Sequence, residues 1–475
     1  MIPSLRSSSR PQSPTVSLRS SYKLLVGIFI VALVYSTVLP QERTNAGEPQ
    51  RVNVSIIYTD ETNGYLQACG CTANQAGGLA KRATLIRDLK RSVDATQQAS
   101  ILLDGGNLAA NSATSEAILS ILSSMKYSAV GMGDSDLAEG DAFVHAAETM
   151  NLPLLNCPNS SSGARSATVD PRPLINLYVD EQGRTAAFDR SDANSKAIAT
   201  ISIISLADCP SRQAIAGLTA SLKRVIDLHV PHVNVVISHM PWSREEDVLK
   251  SQEVQSHVGL WIGMRQYPKP SDLHAVRIGH VQVVPSPDRD SVEVVALGIS
   301  NGAALECSSS LHLIRDDIPM DQKIQEMVDF YYRREALDLQ ESSIASASQI
   351  QSKGKYASSE LCADCHLSAT KQWIASKHYV ALRTLVQKSR LVPACLSCHS
   401  EQFRRTELFN LATSTTTHDG VSCTTCHGDS LVHVALGDRA SRPPKVGEST
   451  CRECHTPVQD PKFDYTRSLA RIRHW

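Results

Sequence analysis

Four short motifs near the C-terminus combine two cysteines with one histidine. Each reads Cys-x-x-Cys-His, and motifs 1 to 4 begin at Cys362, Cys395, Cys423 and Cys451. In this pattern the two thiols can form thioether bonds to a haem, and the histidine can bind the iron from one side. Zinc sites and redox dithiols also use Cys-x-x-Cys pairs, but they do not require a histidine after every second cysteine. The spacing therefore predicts four covalently attached haem c groups.

The predicted haem-binding residues follow from the motifs. The eight attachment residues are Cys362, Cys365, Cys395, Cys398, Cys423, Cys426, Cys451 and Cys454. The four proximal iron ligands are His366, His399, His427 and His455. Positions three and four apart on a helical turn share one face, so the second cysteine and the histidine can both reach one porphyrin. Each motif is therefore expected to lie in a helical turn.

Four further histidines are available for the opposite side of each iron. From residue 355 onward the histidines outside the motifs are His378, His418, His433 and His474. No methionine follows Met327, which excludes histidine–methionine ligation within this segment. Equal numbers of spare histidines and irons favour bis-histidine haems, which transfer electrons. The alternative is that one spare histidine lies at the surface, and that one open iron acts on a small nitrogen or sulfur compound.

The N-terminus has the composition of a targeting segment. Residues 1–23 contain four basic residues and no acidic residue, and an apolar run from Leu24 to Leu39 follows. This run of about 16 residues is short for a membrane span and long for the apolar part of a signal peptide. Residues 1–46 are therefore predicted to be a cleaved signal peptide, or else a membrane anchor that uses residues 24–39. Either alternative exports the protein to the periplasmic side.

Composition and cysteine content limit the remaining classes of function. The chain has 475 residues and a formal net charge of −1, so it has room for two or three domains and no basic excess for nucleic-acid binding. Five cysteines lie outside the motifs, namely Cys69, Cys71, Cys157, Cys209 and Cys307. Some of them are expected to form disulfides in an oxidising compartment. Cysteines two apart rarely bridge each other, which favours a structural role for Cys69 and Cys71 with separate partners over redox or metal chemistry.

Hydrophobic patterning divides the rest of the chain into three parts. Residues 50–318 are predicted to form a layered α/β domain, with strands at 52–58, 100–105, 128–133, 197–205, 234–238, 275–284 and 291–299 and helices at 78–93, 113–126, 141–150 and 210–228. Residues 319–354 read as a charged helix followed by a linker. Residues 355–475 contain too few apolar residues for a conventional core. They are predicted to form a small domain of short helices and irregular loops around the haems.

The C-terminal segment resembles the tetrahaem cytochrome c-554 family. The likeness extends beyond the motifs to Trp373–His378, to Gly420–Gly428 with the following His433, and to Asp460–Asp464 with the terminal His474. Members of this family carry electrons away from nitrogen-oxidising enzymes such as hydroxylamine oxidoreductase, and some have one haem without a distal ligand. The resemblance therefore implies electron transfer with redox partner proteins.

The region 52–315 resembles the metallophosphoesterase, or 5'-nucleotidase-like, fold. The segments that match its metal-binding motifs are Tyr58–Tyr65, Gly77–Arg82, Leu103–Asn107, Gly133–Asp136, His239 and Gly279–His280. A two-metal phosphoesterase needs carboxylates and imidazoles at fixed positions.

Substitutions at those positions predict that the domain has lost its chemistry. Six ligand positions are changed, and they carry Glu61, Asn63, Asn107, Asp134, Ser135 and Gln282. The amide of Asn107 cannot supply the anionic bridge between two metal ions, whereas His239 and His280 match the later histidine ligands. We therefore expect a scaffold or docking domain. The less favoured alternatives are residual binding of one metal ion and a metal-dependent phosphoesterase.

Overall fold

The structure is a computed structural model. The residues that it describes are 52–68, 76–96, 98–108, 111–155, 175–180, 185–187, 197–222, 232–264, 275–300, 303–346, 356–412, 414, 420–443, 445–457, 459–460 and 462–474. The predicted targeting segment lies outside these ranges, as do His418, Cys69, Cys71 and Cys157.

Twelve strands of the described residues form two β-sheets. In chain order they are β1 (Val52–Thr59), β2 (Ala99–Asp104), β3 (Ala129–Val130), β4 (Ile175–Asp180), β5 (Thr185–Ala187), β6 (Ala197–Leu206), β7 (His232–Ser238), β8 (Leu260–Gly263), β9 (Val276–Ile278), β10 (Val281–Pro285), β11 (Ser291–Ser300) and β12 (Ala303–Leu313). The first sheet has the order β12-β11-β1-β2-β3, and the second has the order β5-β4-β6-β7-β8-β10-β9. In each sheet the central strands are parallel, so their carboxyl ends meet at one edge.

The two sheets pack face to face between outer layers of helices. Along β1, Val54 and Ile56 face the apolar cluster between the sheets, whereas Ile57 faces the cluster under the helices. The outer helices are α1 (Leu79–Asp94), α2 (Ser112–Ser124), α3 (Asp134–Glu139), α4 (Asp141–Thr149), α5 (Ser211–Leu222), α6 (Trp242–Leu249) and α7 (Gln252–His257). Side chains alternate between the two faces of a strand, so an apolar strand can serve both layers. The prediction of a layered α/β domain is confirmed.

Several predicted elements differ from those observed. The strand expected at 275–284 is a hairpin of β9 and β10, because Gly279 adopts a positive φ of 60° and turns the chain. The strand expected at 128–133 contains only two paired residues. The strands β4, β5, β8 and β12 and the helices α3, α6 and α7 were not predicted. Most of these elements are short, and the run of serines in β12 hides its apolar pattern.

A single long helix, α8 (Gln322–Ala345), joins the α/β domain to the C-terminal segment. Its first half packs Ile324 and Val328 into the apolar cluster under the first sheet. Its second half supports the C-terminal segment, because the Ser343 hydroxyl accepts a 2.9 Å hydrogen bond from the Phe409 backbone N–H. A helix of this length rises about 36 Å, which is enough to contact both parts of the chain.

The C-terminal segment consists of short helices with little apolar core. The helices are α9 (Ser359–Cys365), α10 (Leu367–Ile374), α11 (Ala381–Lys388), α12 (Pro393–His399), α13 (Glu401–Thr406), α14 (Cys423–His427), α15 (Leu431–Leu436), α16 (Glu448–Arg452) and α17 (Tyr465–Ile472). The buried apolar cluster of this segment, as far as it is described, contains Leu382, Leu385, Leu396 and Phe409. Among the helices of the described residues, none offers an apolar segment of membrane length.

Arg82 is a buried residue in the first turn of α1. Its side chain is 1% exposed and donates hydrogen bonds to the Thr62 hydroxyl at 2.9 Å and to the Arg289 carbonyl at 3.0 Å. Its Nη1 atom lies 3.7 Å from the Asp104 carboxylate. Burial raises the pKa of Asp104 to about 7, and the charge of Arg82 opposes that increase.

We predict that Arg82→Met destabilises the α/β domain by about 3–5 kcal/mol, because it leaves the buried carboxyl of Asp104 without its cation. The free energy of unfolding, measured by urea titration, tests this expectation. Arg87→Met is the matched control, since the ion pair between Arg87 and Asp321 is partly exposed and is expected to contribute at most about 1 kcal/mol. Equal destabilisation by the two variants would contradict the assignment.

Candidate functional site

All four Cys-x-x-Cys-His motifs lie in helical turns. Motif 1 ends α9, and the His366 N–H donates a 2.8 Å bond to the Cys362 carbonyl. Motif 2 closes α12, and motif 3 forms the whole of α14. Motif 4 begins in the last turn of α16, and the His455 N–H donates a 2.9 Å bond to the Cys451 carbonyl. The cysteines and the histidine of each motif are therefore arranged as the spacing requires.

Three motif histidines each face a spare histidine from elsewhere in the segment. The ring centroids are separated by 6.1 Å for His366 and His433, by 6.2 Å for His455 and His378, and by 6.0 Å for His427 and His474. Two imidazoles that bind one metal ion from opposite sides, with bonds of about 2 Å, have centroids about 6 Å apart. The donor set and its spacing therefore fit haem iron held between paired histidines.

Hydrogen bonds orient several of these imidazoles. The Nδ1 atoms of four of the rings contact oxygen acceptors: His399 with Ala381 O at 2.8 Å, His433 with Asp438 O at 3.1 Å, His455 with Asp460 Oδ2 at 2.8 Å, and His474 with Ile472 O at 2.9 Å. A carbonyl or carboxylate oxygen accepts a hydrogen bond from the Nδ1–H group, so the lone pair of the neutral ring lies on Nε2. Metal-binding histidines are oriented in this way in other proteins.

Burial favours the neutral form of two of the paired rings. Burial, and then the nearby His455 and His399, lowers the pKa of His378. Burial, and then His474 and His366, lowers the pKa of His427. Neutral imidazole is the form that binds a metal ion.

Motif 2 differs from the other three motifs. Among the described residues, no second imidazole faces His399 at the spacing of the three pairs. Its Nδ1 atom contacts Ala381 O, so its Nε2 atom is available. His418 is the one spare histidine that the three pairs do not use, and it lies outside the described residues.

Contacts between cysteines define the order of the motifs in space. The thiols of Cys362 in motif 1 and Cys423 in motif 3 lie within hydrogen-bonding reach of each other. The thiols of Cys398 in motif 2 and Cys454 in motif 4 have the same relation. Burial, and then neighbouring Cys451 in motif 4, raises the pKa of Cys426 in motif 3 to about 11. Thiol proximity therefore places motif 1 beside motif 3 and motif 4 beside motif 2, and the electrostatic interaction of Cys426 with Cys451 relates motif 3 to motif 4.

Motif 2 lies beside the junction with the α/β domain. The Arg390 guanidinium donates hydrogen bonds to Asp329 of α8 at 2.6 Å and to the Gln67 side chain of the α/β domain at 2.9 Å. It also lies over the Tyr332 ring, 4.4 Å from the centroid. Arg390 and Tyr332 are both close enough to Cys395 to interact with it electrostatically. One cation therefore connects both parts of the chain near a haem-attachment residue.

The α/β domain brings a second group of polar residues together at the carboxyl ends of its parallel strands. Donor atoms of Asp60, Glu61 and His239 lie within 4.8 Å of one another. Asp60 and Glu61 follow β1, and His239 follows β7 of the other sheet. The Ser286 hydroxyl, after β10, donates a hydrogen bond to Asp60. The sequence comparison did not single out Asp60 or Ser286, because neither matches a ligand position of the family pattern.

The match of His280 to a family histidine ligand is wrong. His280 lies in the turn before β10, and its backbone N–H donates a 2.9 Å bond to the Gln255 side chain. The opposite end of β10 leads to Ser286, which contacts Asp60. At about 3.3 Å per residue, a five-residue strand separates His280 from that edge by more than a ligand distance. The strand that pairs with β7 beside His239 is β8, and its carboxyl end leads to Gly263 and Met264.

Comparisons with known proteins match part of the C-terminal segment to a cytochrome family. The family model described as "Cytochrome c554 and c-prime" matches residues 361–428, which contain motifs 1 to 3. This match confirms the cytochrome resemblance for that part of the chain and indicates haem c. Among curated proteins, none matches the chain.

Solved structures that are similar to the chain are named as phosphoesterases and nucleotidases. The calcineurin-like phosphoesterase YfkN from Bacillus subtilis is 14% identical with a TM-score of 0.45, and the match covers 60% of this chain and 98% of YfkN. The 5'-nucleotidase precursor from Thermus thermophilus is 15% identical with a TM-score of 0.44, and the match covers 59% of each chain. The Haemophilus influenzae NAD nucleotidase is 11% identical with a TM-score of 0.40, and the match covers 60% of this chain and 63% of the nucleotidase.

Proposed function

We propose that this chain is an exported cytochrome that transfers electrons between redox partner proteins through four covalently bound haem c groups. The observation that carries the proposal is the pairing of His366 with His433, His427 with His474 and His455 with His378 at 6.0–6.2 Å. The composition of residues 1–46 supports export, and the family match supports the cytochrome assignment.

Each residue type has a distinct task in this proposal. Haem c, when bound, supplies the one-electron chemistry. The motif cysteines would hold it through thioether bonds, and the paired histidines would bind its iron. Two histidine ligands leave no position for a substrate, which favours electron transfer over catalysis. By elimination, we assign His418 to the open side of His399.

The order of the motifs defines a route for electrons through the segment. Neighbouring attachment cysteines link motif 1 to motif 3, motif 3 to motif 4, and motif 4 to motif 2. Groups attached at adjacent cysteines would themselves be neighbours, so electrons would pass along the series 1-3-4-2. Partner proteins would then exchange electrons at the two ends of the series.

The α/β domain acts as a scaffold in this proposal. Helix α8 contributes Val328 to the core of the α/β domain, and its Leu339 packs against the small cluster of the C-terminal segment. Arg390 adds polar contacts to Asp329 and Gln67. These contacts fix motif 2, one end of the series, against the domain.

The second candidate function is a haem enzyme with one open iron at motif 2. An open iron would lie at motif 2 in this alternative, because the three histidine pairs of the described residues involve only motifs 1, 3 and 4. The two functions differ in one property, since an open iron binds carbon monoxide and a bis-histidine iron does not.

We predict that the dithionite-reduced wild-type protein does not change its Soret band when carbon monoxide is added. His433→Ala, His474→Ala, His378→Ala and His418→Ala should each open one iron and make about a quarter of the haem responsive. His145→Ala is the control, because that histidine lies on the surface of α4. If carbon monoxide changes the Soret band of the wild-type protein, and His418→Ala does not enlarge that change, the iron at motif 2 is open. This result would favour the enzyme.

We predict that Asp460→Asn raises the reduction potential of the haem attached at motif 4. The Asp460 carboxylate accepts a hydrogen bond from the Nδ1–H group of His455, which makes the ligand more basic and would stabilise the oxidised iron. Spectroscopic redox titration should show one haem titrating at higher potential. Asp464→Asn removes the same charge from the N-cap of α17 and serves as the control. Equal changes in both variants would mean that net charge alone, and not the contact with His455, is responsible.

We predict that Arg390→Met lowers the reduction potential of the haem attached at motif 2. The variant removes a positive charge near Cys395, and a nearby cation disfavours the oxidised, more positive form of the iron. Redox titration should place one haem at lower potential than in the wild type. Arg383→Met, an exposed change on the preceding helix α11, should have a smaller effect. An unchanged titration for Arg390→Met would contradict the placement of this cation beside motif 2.

A further inference from the structure

Asn107 lies at the centre of the polar cluster in the α/β domain. Its Nδ2 atom is 2.8 Å from Glu61 Oε1 and 3.2 Å from His239 Nδ1. Its Oδ1 atom is 3.2 Å from both the backbone nitrogen and the hydroxyl of Ser135. The side-chain amide therefore joins residues from both sheets.

The backbone fixes the orientation of this amide. A backbone N–H can only donate, so the Asn107 atom that faces the Ser135 nitrogen must be the carbonyl oxygen. The NH2 group must then face Glu61 and His239, and it donates one hydrogen to each. The orientation thus follows from chemistry and does not depend on distinguishing the oxygen from the nitrogen.

The same reasoning fixes the proton on His239. Its Nε2 atom is 2.8 Å from the Gly105 carbonyl oxygen, which can only accept, so the proton lies on Nε2. The lone pair therefore lies on Nδ1 and accepts from Asn107. Nδ1 is the atom that a metal ion at this site would need.

Hydrogen-bond donors also contact the carboxylate oxygens of the cluster. Glu61 Oε2 accepts from the Asn63 amide at 2.9 Å. Asp60 Oδ1 accepts from the Glu61 N–H at 2.9 Å, and Oδ2 accepts from the Tyr58 and Ser286 hydroxyls. Each carboxylate oxygen of Asp60 and Glu61 therefore accepts a hydrogen bond without a metal ion.

We propose that the Asn107 amide replaces a divalent cation in this domain, with its two N–H groups bound to Glu61 and His239. The residues therefore do not fit a functional metal centre, although three potential ligands lie together. Glu61 and Asn107 have φ values of 54° and 50°, an uncommon conformation that the network holds in place. The site is closed by hydrogen bonds and stabilises the scaffold. This inference is independent of the haem proposal.

Binding of Mn²⁺ by the haem-loaded, full-length protein tests this inference. Free Mn²⁺ is measured from its room-temperature electron paramagnetic resonance signal. The wild-type protein should leave the signal unchanged at equimolar metal. Asn107→Asp should reduce it by a single equivalent and raise the melting temperature in the presence of Mn²⁺, because a carboxylate replaces the blocking amide and supplies a further ligand. Asn111→Asp is the charge-matched control, and it retains an acceptor at the N-cap of α2.

Two outcomes would overturn the inference. A single tightly bound Mn²⁺ in the wild-type protein would mean that the cluster is a metal site despite Asn107. A folded Asn107→Asp variant that binds no more Mn²⁺ than Asn111→Asp would mean that the amide is not what excludes the cation. The wild-type titration decides the first point even when the variant does not fold.

Discussion

The spacing between paired imidazoles is the constraint on which the C-terminal segment depends. An iron atom held from both sides requires two rings about 6 Å apart, and three pairs meet this requirement. Each pair joins a motif to a helix or loop elsewhere in the segment. Because the described apolar cluster is small, these cross-links and the attached porphyrins would supply most of the cohesion. Folding and cofactor attachment are then coupled.

The sequence predicted the local geometry of the motifs and left open which spare histidine faces each motif histidine. A Cys-x-x-Cys-His motif needs only one helical turn, so its spacing is visible in the sequence, and all four motifs lie in such turns. The partner of each motif histidine depends on the path of the chain between them. That path brings His378 to motif 4 and His433 to motif 1, and no local pattern encodes it.

The α/β domain shows the same difference between local and distant information. Strongly apolar strands such as β1, β2 and β7 were predicted within a few residues. The ligand match for His280 was wrong because a sequence pattern does not reveal which end of a strand a residue occupies. The replacement of the bridging aspartate by Asn107 was visible in the sequence. The role of Asn107 was not visible, because its hydrogen-bond partners follow β1, β3 and β7 and are far apart in the sequence.

The two parts of the chain depend on each other through α8 and Arg390. The layered core of the α/β domain contacts α8, and Arg390 contacts Asp329 of that helix, so in our proposal the domain would hold one end of the haem series. Near-infrared magnetic circular dichroism of the oxidised wild-type protein tests the central claim most directly. The account predicts low-spin haem with bis-histidine ligation at no fewer than three of the four irons. Predominantly high-spin haem, or low-spin haem with another ligand pair, would contradict it.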